Sequence, residues 1–435
     1  MGIINFYKWI KSEYSNCIKN IDNKWYNHVY IDINYLLHLS YHNSNDLNHM
    51  MNKMATIILD ICIKTQPSDS LNLYCDGTSP FAKLLLQRER RFNMTDGSDL
   101  NSGLNSGLNS SINSSINSSL NFTPGTIFIK SIPTKLNKIL DIIKNQFNIE
   151  VNIDVIEPGE SEIKIKNTLL QNYNNNKNKS HILVTNDADV ILILTSHESY
   201  KKCNILLYND VLSIEQLINE HNKKFGISEF PHLDFSFLNL FVGNDYLPKL
   251  AFISIVSLWN AYKFNINLLL KEKYLIKFNK YNEMIINYDL LFDIFNTIIN
   301  KTSKVKLKKY NDIYDSEIYQ NYFNGLIWNM KMYNTGCCND YYYFCLMKKP
   351  IDIINLIIFL SDKKTQIINY NIINKPISSE LCSILILPES GRNLIDKKYH
   401  KFIDKLNKKI NIYDKNFKIT KENISFIIDK FNKFT

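Results

Sequence analysis

Short apolar runs of strand length, several ending in or leading into an acid, alternate with helical stretches along the first half of this chain. The runs are Val29–Asn34, Leu71–Asp76, Val151–Ile156, His181–Thr185 and Asn204–Tyr208. Each is rich in β-branched or aromatic residues, the signature of a buried strand. Between them, Leu47–Lys64, Pro80–Phe92, Ile132–Gln146 and Glu162–Asn172 carry helical periodicity. Strand–helix alternation of this kind predicts an α/β fold with a mixed, mostly parallel central sheet and flanking helices. In such sheets ligands gather at the carboxyl ends of the strands. That is where the acids fall.

Seven carboxylates stand out. Asp32 lies in Tyr30-Ile31-Asp32-Ile33-Asn34, and Asp76 closes Leu73-Tyr74-Cys75-Asp76-Gly77. Glu160 and Glu162 sit in Pro158-Gly159-Glu160-Ser161-Glu162, and Asp187 and Asp189 in Asn186-Asp187-Ala188-Asp189. Asp245 follows in Gly243-Asn244-Asp245-Tyr246-Leu247-Pro248. Alone, each has a plain explanation as a turn residue or helix cap. Together, at one end of a sheet, they would repel one another strongly unless cations neutralised them. Hard divalent ions with oxygen ligands do this. A pair of such ions roughly 3.5–4 Å apart is suited to in-line attack on a phosphodiester.

A helix whose basic stripe begins seven residues after Asp76 follows. Ser79 and Pro80 read as its N-cap and first helical residue. Lys83, Gln87, Arg90 and Arg91 then fall at i, i+4, i+7 and i+8, on one helical face. Such a stripe is often just a solvated face, but donors in a row beside an acidic site suit a phosphate group.

Beyond about residue 250 the pattern turns to long helical stretches rich in Ile, Leu, Phe and Tyr. The expected organisation is therefore a core over 1–250 and a mainly helical region over 251–435. Within the core, 95–121 reads TDGSDLNSGLNSGLNSSINSSINSSLN, a four-residue repeat of poor helix formers. It is expected to be a flexible insertion. The abundance of Asn, Ile, Lys and Tyr matches chains encoded by A+T-rich DNA, that of large DNA viruses included.

Other classes are disfavoured. The most apolar stretch, Phe235–Trp259, is interrupted by polar residues, so no membrane span is expected. The opening residues lack the layout of a secretory signal. None of the eight cysteines forms a Cys-x-x-Cys pair or lies at zinc spacing to a histidine. A reduced, cytoplasmic setting is the expectation. The net charge of +9 is compatible with a polyanionic partner.

These motifs, in this order, resemble the Xrn-type 5′→3′ exoribonucleases. Met1-Gly2…Phe6-Tyr7-Lys8-Trp9 looks like that family's opening, and Asp32-Ile33-Asn34-Tyr35-Leu36-Leu37-His38 resembles its Asp-x-Asn-x-Ile-Ile-His segment. Asp76-Gly77…Pro80…Lys83…Gln87-Arg88…Arg90-Arg91-Phe92 and Thr123-Pro124-Gly125-Thr126 are similar to the stretches that follow. Weaker likeness continues through Gly325-Leu326-Ile327-Trp328 and Leu387-Pro388-Glu389. The resemblance implies a PIN- and flap-nuclease-like core. It also implies two Mg²⁺ or Mn²⁺ ions on Asp32, Asp76, Glu160, Glu162, Asp187, Asp189 and Asp245. Lys83, Gln87, Arg90 and Arg91 would form a 5′-phosphate pocket, and His38 would stack on the first base. The family's Trp-rich stretch is here Gly336-Cys337-Cys338-Asn339-Asp340-Tyr341-Tyr342-Tyr343, without Trp, so Tyr342 is the expected second stacking residue.

The expected activity is stepwise hydrolysis of 5′-monophosphorylated single-stranded RNA to mononucleotides, by a monomer, with a decapping enzyme as a conceivable further partner. The alternatives are a structure-specific flap-type DNA nuclease and a catalytically dead RNA-end-binding protein.

Overall fold

The computed structural model describes the chain except for residues 1, 2, 4, 22–24, 42, 43, 45, 96–118, 208, 303–313, 348, 364–369, 416 and 418. Nearly all of the Asn/Ser repeat lies outside the described residues. The chain divides into two compact units, each made of two segments far apart in sequence. One comprises Met1–Asp22 with Glu162–Ile373, the other Asn23–Ser161 with Asn374–Thr435.

The second of these units contains β2 (Tyr26–Asp32), β3 (Pro67–Tyr74) and β4 (Glu150–Asp154). β2 pairs with β3, and β3 with β4, all parallel. Val29, Leu71 and Val151 lie across from one another, as do Ile31, Leu73 and Ile153. The Val29, Ile31, Leu71 and Leu73 side chains are fully buried, which fixes the register, because a slip of one residue would turn them all to the other face. Helices α2 (Ile33–Tyr41), α3 (Leu47–Thr65), α4 (Phe81–Thr95) and α5 (Ile127–Phe147) follow the strands. Asp46 caps α3 and Thr126 caps α5. α5 starts five residues before the expected Ile132. Thr126 caps the helix upstream and places Pro133 inside it.

Three further helices complete this unit: α14 (Ser379–Ile386), α15 (His400–Asn407) and α16 (Lys421–Asn432). Arg88 ties α4 to them. Its guanidinium donates to the carbonyls of Leu385 (2.6 Å), Ile412 (2.7 Å) and Asp414 (3.2 Å) and lies 4.1 Å above the Phe92 ring. Gly125, at φ +86°, is where α14 comes closest, since a Cβ there would stand 1.9 Å from the Ser379 carbonyl oxygen. The repeat's last leucine, Leu120, sits in a short turn over Ser119–Phe122 and is buried.

The first unit contains β1 (Ile18–Asn20), β5 (His181–Val184), β6 (Cys203–Leu207) and β7 (Asp210–Ser213), in the order β1-β7-β6-β5. β5 and β6 are parallel, and the β6–β7 and β7–β1 pairs are antiparallel. The pairings are thus mixed and mostly parallel, as the strand–helix alternation predicts. Its helices are α1 (Phe6–Glu13), α6 (Ser161–Asn175, from Glu162 on), α7 (Val190–Thr195), α8 (Ile214–Phe225), α9 (Pro231–Leu240), α10 (Ile255–Ile266), α11 (Tyr288–Lys301), α12 (Ser316–Thr335) and α13 (Ile353–Lys363). A hairpin, β8 (Ile276–Phe278) and β9 (Met284–Ile286), interrupts the helices. So the stretch after residue 250 is mainly helical, as expected.

Asp234 holds that hairpin. Its Oδ1 accepts from the backbone N–H groups of Leu275 (2.8 Å) and Ile276 (3.0 Å), and its Oδ2 from Tyr262 Oη (2.6 Å) and Ser228 Oγ (2.7 Å). Burial outweighs these four bonds and pushes the carboxyl up to about 6. Among the described residues no helix is long and apolar enough to cross a membrane.

Candidate active site

In the unit built on β2, β3 and β4, three of the expected acids stand at or just past the carboxyl ends of the three strands. Asp32 is the last residue of β2, Asp76 lies two residues past β3, and Glu160 follows β4 by six. Asp32 turns the chain into α2 by accepting from the Asn34 N–H (2.9 Å). Asn34 in turn accepts from the Asp76 N–H (2.8 Å) and from the Cys75 thiol (3.0 Å), so the ends of β2 and β3 are stitched together.

The loops after β3 and β4 lie against each other. Gly77 N–H donates to the Gly159 carbonyl (2.8 Å), and Gly159 N–H to the Thr78 carbonyl (2.9 Å). Any side chain at position 77 would collide with this pairing, because a Cβ there would be 2.0 Å from the Glu157 carbonyl oxygen. Ser161 completes the arrangement. Its N–H donates to Asp76 Oδ1 and its hydroxyl to Asp32 Oδ1, both at 3.0 Å. One residue thus bridges two acids. Sequence reading gave Ser161 no role; its place between Glu160 and Glu162 was the available signal.

The basic helix α4 starts beside these loops. It opens at Phe81, one residue later than expected, with the Pro80 carbonyl accepting from the Lys83 and Leu84 N–H groups. Lys83 Nζ forms an ion pair with Glu160 Oε2 at 2.6 Å, both side chains being largely buried. Gln87 Nε2 donates to Ser79 Oγ at 3.3 Å, leaving the buried Gln87 Oε1 with no hydrogen-bond partner among the described residues. Arg91 Nε donates to Thr123 Oγ1 at 2.9 Å; burial lowers the pKa of its guanidinium, and the Asp76 carboxylate offsets part of that shift. Three of the four stripe residues therefore face the strand-end loops. Arg90 is half-buried one position before Arg91. His38, on α2, is exposed and lies edge-on to Phe122, with 5.2 Å between ring centroids.

The other unit carries Glu162, Asp187, Asp189 and Asp245. Glu162 lies in the first turn of α6 and is buried. Asp187 and Asp189 follow β5, and the Asp189 N–H donates to Asp187 Oδ1 (3.0 Å). The Asp189 carboxylate accepts from the Ile3 N–H at 2.7 Å, a link that 186 residues of separation hid from sequence reading. Burial, then the like charges of Asp187 and Asp245, hold the Asp189 carboxyl well above the usual carboxylate range. Asp245 sits in a tight turn. Asn244 Oδ1 accepts from the N–H groups of Tyr246 (3.0 Å) and Leu247 (2.9 Å), and Gly243, at φ +87°, lets the chain pass close to Lys249.

Of the three tyrosines in the stretch expected to carry the second stacking residue, Tyr341 and Tyr343 are buried and Tyr342 is half-buried. Tyr343 stacks on Trp328 at 4.7 Å and donates to the Asn321 carbonyl. Tyr342 is the one of the three with ring surface left for a ligand.

Among the described residues of either unit, no three His, Cys, Asp or Glu side chains converge as a ready-made metal cluster. The donor set is nonetheless all carboxylate oxygen. The mutual repulsion of Asp187, Asp189 and Asp245 in a buried setting is what a hard divalent cation relieves.

The fold and these residues define an α/β protein with acids at strand ends beside a basic helix. Residues 1–207 match the family described as XRN 5'-3' exonuclease N-terminus. This N-terminal region is therefore of the Xrn type, as its motifs suggested. The chain is 26% identical over 305 residues to 5'-3' exoribonuclease 1 of Schizosaccharomyces pombe, covering 59% of this chain and 23% of that protein. It is 27% identical over 220 residues to 5'-3' exoribonuclease 1 of Homo sapiens, covering 46% of this chain and 13% of that one. The matches thus span about a quarter or less of these relatives. Among solved structures, the catalytic core of Rad2 in complex with DNA substrate aligns with a TM-score of 0.36 and 12% identity, covering 84% of this chain and 95% of that one.

Proposed function

We propose that this chain is a metal-dependent 5′→3′ exoribonuclease acting on single-stranded RNA with a 5′-monophosphate. The observation that carries the reading is the arrangement after β2, β3 and β4. Ser161 bridges Asp32 and Asp76, Lys83 holds Glu160, and the donors of α4 face the same loops. Acids for metal and donors for phosphate occur side by side.

The proposed metal ligands are Asp32, Asp76 and Glu160 in one unit and Glu162, Asp187, Asp189 and Asp245 in the other. When bound, two Mg²⁺ or Mn²⁺ ions would supply Lewis-acid stabilisation of phosphodiester hydrolysis. The rest falls to the chain's own side chains. Arg90 and Arg91 grip the terminal phosphate with charge-assisted bonds. Gln87, whose amide oxygen has no hydrogen-bond partner among the described residues, turns its amide to donate to the same phosphate. Lys83 exchanges Glu160 for a phosphate oxygen. His38 and Tyr342 stack on bases, a hold that tolerates any sequence. A pocket matched to one phosphate disfavours triphosphate or capped ends on charge and steric grounds.

The test is to incubate one RNA sequence carrying 5′-monophosphate, triphosphate or hydroxyl ends, with and without EDTA, alongside the DNA of the same sequence. Mononucleotide release from the monophosphate RNA alone, abolished by EDTA, is the expected result. Equal cutting of triphosphate RNA overturns the end selectivity. Cutting of DNA but not RNA overturns the substrate class and favours a flap-type DNA nuclease. Binding of 5′ ends without hydrolysis in Mg²⁺ or Mn²⁺ identifies an end-binding protein.

A further inference from the structure

The C-terminal helices α15 and α16 form a groove of about 400 Å³, separate from the acids described above. This is the size of a ligand cleft, roughly 300–1,000 Å³. Lys405, Lys408, Lys409, Lys430 and Lys433 rim it. Its floor and walls include Phe402, Phe426 and Phe434. Asp404 is taken up outside the rim by Arg392 at 2.7 Å, whereas Asp429 pairs with Lys433 at 2.9 Å and offsets one of the five rim lysines. Lys430 lies 5.4 Å from the Phe426 ring centroid. Phe402 is buried against Phe431 and Phe434, whereas Phe426 is half-buried and Phe434 exposed.

We propose that this groove is a second binding site, for single-stranded polynucleotide, whose lysines take backbone phosphates while Phe426 and Phe434 take unstacked bases. Charge complementarity selects a polyanion. The interleaving of cations with accessible rings selects one that carries flat bases along its backbone. A lipid surface fits less well, because apolar side chains would have to project beyond the charged rim, and here the rings line a groove within it. The site is independent of the nuclease reading and holds whether or not the acids cut.

A circular oligoribonucleotide in EDTA tests it, since a circle has no 5′ end to enter a terminal-phosphate pocket and cannot be hydrolysed without metal. Each phosphate contact on a single strand contributes a salt exponent of about 0.7, or roughly fourfold in affinity at 0.15 M salt. Changing Lys405, Lys408 and Lys409 together to Ala should therefore weaken binding by about 50-fold, while the matching triple change to Arg should keep it within about twofold. Phe434→Ala should weaken it about fivefold or more. All three lysines are exposed, so far-UV circular dichroism and melting should be unchanged. Loss of less than about threefold in the triple Ala variant overturns the proposal. So does a variant that loses binding to phosphatidylserine vesicles but keeps the circle. Hydrolysis of linear monophosphate RNA in Mg²⁺ reports on the acids separately.

Discussion

The ion pair between Lys83 and Glu160 is the contact most open to a quantitative test. The two side chains are 13% and 6% exposed, and the Nζ–Oε2 distance is 2.6 Å. At that depth solvent screens little, so removing one partner strands a charge. Lys83→Met keeps the length and apolar stem of the side chain and leaves Glu160 without its cation. Breaking a buried pair in this way costs about 3–5 kcal/mol. Replacing both charges, Lys83→Met with Glu160→Gln, removes the stranded carboxylate and should return stability to within about 1 kcal/mol of the parent. The measurement is urea unfolding at pH 7 in EDTA, followed by far-UV circular dichroism, for the parent, both single variants and the double variant. Because Glu160 is a proposed metal ligand, Mg²⁺ should recover part of the loss in Lys83→Met and none in the double variant. If Lys83→Met alone costs less than about 1 kcal/mol, the pair behaves as a solvated surface contact. The start of α4 would then not be fastened to the acidic loops, and the reasoning fails.

Three other outcomes are expected. Asp76→Ala or Asp187→Asn should lower kcat about 10³-fold, the equivalent of roughly 4 kcal/mol of lost transition-state stabilisation, with RNA binding in EDTA retained; wild-type turnover by either would remove that acid from the mechanism. Asp234 keeps its proton up to about pH 6 in the folded protein, whereas the unfolded chain releases it near 3.8. Its contribution to stability is therefore present below about pH 4 and is lost as pH rises to about 6, by about 3 kcal/mol. Asp234→Asn should flatten that part of a melting-temperature profile between pH 4 and 6, and an unaltered profile would contradict the assignment. Replacing 97–117 by a short Gly/Ser linker should change stability by only about 1 kcal/mol, because loop entropy varies by roughly 0.6 kcal/mol per doubling of length. A collapse in melting temperature would show that more of the repeat than Leu120 is packed.

Elements that bury one face were legible in the sequence, and contacts between remote segments were not. α3 covers Leu47–Thr65 against an expected Leu47–Lys64, because Asp46 and the apolar spacing mark it locally. β2 is legible from its apolar run but ends at Asp32, two residues before the expected Asn34, because Ile33 already opens α2. β1 and β7, three and four residues long, carry too few alternations for a pattern to register. The acids could be picked out because each interrupts an apolar run. Their partners could not. Neither the Ile3 N–H at Asp189 nor the Lys83–Glu160 pair leaves a local trace, since the chain must fold before these atoms meet, and Ser161 is marked only by its place between Glu160 and Glu162. The same holds for the division into two units, because no change in composition marks the junction at Ser161–Glu162.

Arg88 also bears on how far this chain can be shortened. Two of its three acceptors, the carbonyls of Ile412 and Asp414, come from the last two dozen residues. A truncation before Ile412 would leave a buried guanidinium facing vacated space, on the same helix that presents Lys83, Gln87, Arg90 and Arg91. Trimming back to the end of the matched region at residue 207 would remove all three acceptors. A fragment that keeps Arg88's hydrogen bonds must therefore extend well past the boundary that sequence similarity draws.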